Sequence, residues 1–168
     1  MKVNDTVLYG AHGVCKIAEQ VSRKVGGQER EYFVLKPVYD KNSTYFVPSD
    51  NQAVLSKLKR ILSAEEIFEM IREIPGEDTI DVENEHERFR IYQEILTGGD
   101  RAKLIRLIKT LYLRQQKRKE QRKNLLMSDE RFMKDAERIL YEEFAYVLKI
   151  DRDQVLPFIT NQIEVEKK

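Results

Sequence analysis

Hydrophobic positions recur with two different periods along the chain, and the change falls near residue 56. Before it the apolar runs are short and β-prone. Thr6-Val7-Leu8-Tyr9 is the first, and Gly10 and Gly13 bracket a turn behind it. From Val14 to Val21 the pattern alternates, which puts Cys15, Ile17 and Val21 on one face and Lys16 and Gln20 on the other. Gly26-Gly27 marks a hairpin. Glu31-Tyr32-Phe33-Val34-Leu35-Lys36 is the strongest strand, ended by Pro37. Asp40 to Ser43 reads as a turn, and Thr44-Tyr45-Phe46-Val47 as a strand stopped at Pro48.

From residue 57 the period is helical. Ser63-Ala64-Glu65-Glu66 is a capping box that opens a helix with Ile67, Phe68 and Ile71 on one side, and Pro75-Gly76 ends it. A second helix runs from about Glu83 to Thr97, with Phe89, Tyr92 and Leu96 inward and Gly98-Gly99 as its stop. Asp100 caps a third, whose stripe is Leu104, Ile108 and Leu111, flanked by Leu107 and Tyr112. Ser128 is expected to cap a fourth, with Phe132, Ala136, Ile139, Leu140, Phe144 and Val147 inward. Asp151 begins a last element, which Pro157 should shorten or kink. The predicted class is α+β. A small antiparallel barrel of SH3-like or Tudor-like form (1–56) precedes an all-α bundle of about five helices (57–168). So small a barrel is marginal alone and should pack on the helical bundle.

Composition narrows the function by exclusion. The 168 residues hold no apolar run near the roughly 18 a membrane span needs, and Met1 to Thr6 offers no secretory leader. The expectation is a cytoplasmic monomer with no membrane contact. Cys15, the only cysteine, excludes an internal disulfide framework and reads as a small buried apolar residue. His12 and His86 lie in different modules, so no metal site is expected, and no sequence motif implies a cofactor. The carboxylates of residues 64–87 are spread around helix surfaces and turns, not paired in an apolar pocket. The chain reads as a binding protein, not an enzyme.

The overall charge of +1 hides a strong asymmetry. Residues 64–87 carry ten acidic side chains against one basic, and residues 100–123 carry ten basic against two acidic. On the third helix Lys103, Arg106, Lys109, Arg114 and Lys117 fall opposite the apolar stripe, with Leu113 among them. With its tail to Lys123 this helix spans about 35 Å, close to one turn of duplex at about 34–36 Å. Acids at i+4, which would mark a merely solvated helix, are missing. The pattern points to sequence-independent contact with a phosphate backbone.

The order of parts resembles the CarD/CdnL family of bacterial transcription regulators. Asp5-Thr6-Val7-Leu8-Tyr9 with His12-Gly13-Val14 is similar to that family's opening, with Asn4 and Gly10 replacing its Gly and Pro. Glu31-Tyr32-Phe33-Val34-Leu35, Val47-Pro48-Ser49-Asp50-Asn51, Arg88-Phe89-Arg90 and Gly98-Gly99-Asp100 match further segments in order and spacing. The resemblance implies a Tudor-like module that binds the RNA polymerase β subunit, as the related domain of the transcription-repair coupling factor does. Arg23, Tyr32 and Phe46 are the contact residues it implies, Phe46 standing where a basic residue is expected. It also implies a helical domain touching double-stranded promoter DNA and modulating open-complex stability, with Arg88 and Arg90 added to the basic helix. The family's minor-groove wedge tryptophan aligns with Glu85, and this chain has no Trp. The alternative reading is an adaptor that binds polymerase or another protein without touching DNA.

Overall fold

The computed structural model describes the backbone of residues 1–166 and the side chains of residues 1–163. Four strands form where the alternation predicts them: Thr6–Tyr9 (β1), Val14–Val25 (β2), Gln28–Pro37 (β3) and Tyr45–Pro48 (β4). A short helix, Gln52–Leu55 (α1), and a fifth strand, Leu58–Arg60 (β5), then occupy the stretch where the spacing predicts the helical period to begin. The sheet is antiparallel with order β4-β3-β2-β1-β5. It is an open sheet and not the predicted barrel. Closure requires the outer strands to pair, and here β4 and β5 are four and three residues long and remain at opposite edges.

A bulge overturns part of the facing predicted for β2. Ile17 pairs with Leu35 but Glu19 pairs with Val34, so Ala18 is an extra residue. One added residue moves everything beyond it to the other face. Cys15 and Ile17 therefore stay with Leu35, whereas Val21 pairs with Tyr32 and Gln20 with Phe33. Val21 is not on the Cys15 face, and Gln20 is not on the Lys16 face.

Each face of the sheet has its own cover. Val7, Cys15, Ile17, Phe33, Leu35, Val47 and Leu58 form a small core closed by Val54 and Leu55 from α1. Burial pushes the Cys15 thiol up to about 12, consistent with an inert packed side chain. Leu8 and Val14 point the other way, into the core of the helical part.

That part contains Ala64–Glu73 (α2), Glu85–Gly98 (α3), Arg101–Glu120 (α4), Met127–Leu148 (α5) and Arg152–Glu166 (α6). The capping box at Ser63 forms as expected, and Asp100 accepts the Lys103 N–H at the start of α4. Ser128 does not cap α5: the helix begins at Met127, two residues earlier than such a cap would place it, and Leu126 occupies the cap position without a side-chain bond. Nor does Pro157 shorten α6, which runs on to Glu166.

The two parts are joined by polar contacts around a close approach. The 3-10 turn Gly10–His12 sits between α3 and α5, where Arg138 Nη2 donates to the Ala11 carbonyl at 2.7 Å. A Cβ on Gly10 would meet the Thr97 carbonyl oxygen at 2.8 Å, and one on Gly13 would meet Glu142 Oε2 at 2.8 Å.

Candidate interaction surfaces

The first surface lies at the β4 edge. Register places Arg23 opposite Arg30, Tyr32 opposite both Val21 and Pro48, and Phe46 opposite Val34. Cross-strand partners share a face, so Arg23, Tyr32 and Phe46 are brought together. The Arg23 guanidinium stands 4.2 Å from the Phe46 ring centroid, and the ring is 42% exposed. An arginine on an aromatic face keeps its charge while covering apolar surface. The bulge at Ala18 produces this arrangement, since without it Arg23 would point to the opposite face. Because β4 is an outer strand, its far backbone edge has no partner within the sheet.

The second surface is expected on the basic helix, and there the structure divides the cations. Arg88 is 4% exposed, with Nη2 at 3.4 Å from Asp129 Oδ1. Arg114 Nε approaches the other oxygen of the same fully buried Asp129 at 3.3 Å. Arg90 is exposed but pairs along its own helix with Glu87 and Glu94. Arg106 Nε bonds Glu77 Oε2 at 2.8 Å, and that carboxylate raises the guanidinium's already high pKa. Lys109 Nζ donates to the carbonyls of Ile74, Pro75 and Glu77. Lys103 and Lys117 are exposed and make no ion pair among the described residues.

Beyond Lys117 the exposed cations continue through Lys119, Arg122 and Lys123. They sit at the C-terminal end of α4, where positive charge is favoured by the helix dipole as well. Leu113 is 48% exposed on this side, as the spacing predicts. Glu85 is the first residue of α3, exposed, in a turn whose N–H groups favour an anion. Phe89, the next phenylalanine along the chain, is half-buried and packs at a tilt against Phe132, with ring centroids 5.6 Å apart, so that ring serves packing.

Two features escape the sequence pattern. One is the segment between α2 and α3, which lies along α4 and supplies the oxygen partners of Arg106 and Lys109. The other is Met127, 88% exposed at the start of α5. The acidic block at 64–87 is a signal for the first; nothing in the spacing marks the second.

Comparison with protein families covers most of the chain. A model described as CarD-like/TRCF RID domain matches residues 1–59. A model described as CarD, C-terminal domain, matches residues 66–160.

Proposed function

The chain belongs to the CarD-like family of transcription regulators that associate with RNA polymerase, and we propose that it binds the polymerase β subunit through the β4 edge. The Arg23–Phe46 pair carries this reading. It presents a cation and an exposed aromatic face on an outer strand of the sheet, a place where a partner strand can add, the mode called β-augmentation. Tyr32 lies beside it on the same face. The family's proteins are non-enzymatic, in keeping with the absence of a catalytic motif in the sequence.

We further propose that the helical part contacts double-stranded promoter DNA without reading its sequence and thereby modulates open-complex stability. Lys103 and Lys117, with Lys119, Arg122 and Lys123, support this contact, because they hold exposed positive charge with no ion pair among the described residues, on α4 and just past its end. Neutralising about three phosphates would give a log–log salt slope near −3. Lys103→Glu with Lys117→Glu should flatten that slope and weaken binding to all duplexes alike. A parent slope near zero would instead favour the adaptor reading. That reading draws its support from Arg88, Arg90, Arg106, Lys109 and Arg114, whose charged groups are engaged within the molecule.

A further inference from the structure

We propose that residues 77–84 form an internal strap that holds part of the cation face of α4 and gives way to a polyphosphate backbone. The inference goes beyond the DNA contact proposed above and rests on it for its physiological ligand. Between the 3-10 turn Ile74–Gly76 and the α3 cap Asn84, the chain has no regular structure and runs along α4. Glu77 meets Arg106, and the Glu77 carbonyl accepts from Lys109 at 2.7 Å. One turn later the Ile80 N–H donates to Thr110 Oγ1 at 2.9 Å, and that hydroxyl donates to the Arg106 carbonyl at 2.6 Å. Asp81 then shares an open groove of about 470 Å³ with Leu113, Arg114 and Lys117. Successive strap residues thus follow successive turns of the helix.

The chemistry of these contacts imitates a nucleic-acid strand. The groups facing Arg106 and Lys109 are a carboxylate and carbonyl oxygens, which are the acceptors that phosphodiester oxygens would replace. Asp78, Asp81 and Glu83 are exposed along the same segment and add negative charge beside the helix. The strap is also lightly held. Its ion pair is partly exposed, with 43% of the Arg106 side chain accessible, so it is screened by salt. Ile80 anchors it on the helical core, and Val82 is half-buried beside it in sequence. An irregular, charged, weakly anchored segment over a basic face is suited to exchange with a stronger polyanion, and while closed it reduces the affinity of that face.

The experiment uses the full chain. Glu77→Gln with Asp78→Asn and Asp81→Asn should bind a fixed duplex several-fold more tightly. The salt slope should steepen by about 2, as expected when two further cations reach phosphate at about 0.9 each. Adding Arg106→Gln and Lys109→Gln should remove the gain. As a charge control, Glu65→Gln with Glu69→Gln and Glu73→Gln removes the same charge from α2 and should leave the slope unchanged. Where duplex binds, equal affinity and slope in parent and strap variant, or an equal gain in the control, would overturn the strap. Hydrogen exchange at the Ile80 amide with inorganic polyphosphate gives a readout independent of DNA, and faster exchange is expected. Unchanged exchange overturns the strap whether or not duplex binds. Accelerated exchange without any duplex binding would keep the strap and contradict the DNA reading.

Discussion

Arg101 and Glu143 form a two-pronged pair inside the protein, Nε to Oε1 at 2.8 Å and Nη2 to Oε2 at 2.6 Å. The same two side chains also hold the backbone that leads out of the sheet. Arg101 Nη2 donates to the Arg60 carbonyl of β5 at 2.6 Å, and Glu143 Oε2 accepts the Leu62 N–H at 3.0 Å. The start of α4 and the C-terminal part of α5 are thereby fastened to the last strand of the sheet. Removing one charge of a buried pair costs about 3–5 kcal/mol, because the other is left uncompensated. Glu143→Gln should therefore lower the melting midpoint by about 10 °C, given about 2–4 °C per kcal/mol for a chain of this size. Calorimetry should show a single transition, since Leu8 and Val14 of the sheet belong to the helical core.

Gly13 adopts φ +78° and ψ −154° at the point where the sheet meets α5. This region is essentially restricted to glycine, and a Cβ there would also lie 2.8 Å from Glu142 Oε2. Gly13→Ala is expected to destabilise by about 1–3 kcal/mol. Denaturant unfolding checks this; a change below about 0.5 kcal/mol would mean that the turn re-forms elsewhere.

Glu66 is held from its ordinary 4.5 down to about 2 by the Arg60 guanidinium and by the Ser63 N–H of the capping box. A lowered carboxylate pKa contributes stability above the unfolded value, and that contribution is lost as pH falls through the folded value. The stability of the parent should therefore decline between about pH 4.5 and 2 in part through this group. Glu66→Gln should show a shallower decline over the same window, measured by denaturant titration at several pH values.

Glu85, where the family resemblance would place a wedge tryptophan, begins a helix. An anion there favours the helix by about 0.3–1 kcal/mol but cannot place an apolar surface against an unstacked base step. Glu85→Trp should lose a little thermal stability and lengthen the half-life of open promoter complexes after competitor addition. An unchanged half-life would show that the wedge position does not act in this chain.

Elements specified by adjacent residues are legible in the sequence. Ser63 with Glu66 and Asp100 with the Lys103 N–H are contacts within one turn, and both caps form where the spacing predicts them. Features decided by distant partners are not. Leu58–Arg60 is a strand only because β1 is there to pair with it. The extra residue Ala18 has no mark of its own in the alternation, yet it decides which face Arg23 takes. Arg88 has the spacing of a surface cation, but Asp129, 41 residues away, draws it inward. Helical spacing correctly puts Arg106 and Lys109 opposite the apolar stripe, but it cannot show that residues 74–77 cover them.

If the β4 edge, with Arg23 stacked on Phe46, is the surface that binds RNA polymerase, removing that pair should cost affinity without costing the fold. The decisive experiment is a titration of RNA polymerase with the full chain and with Arg23→Glu combined with Phe46→Ala, at one salt concentration. Both side chains are exposed, so the variant should melt within a few degrees of the parent. The expected affinity is at least tenfold weaker, a loss of about 1.4 kcal/mol or more, with the β subunit alone showing the same difference. Equal affinity of parent and variant for polymerase would rule out the β4 edge as the binding surface.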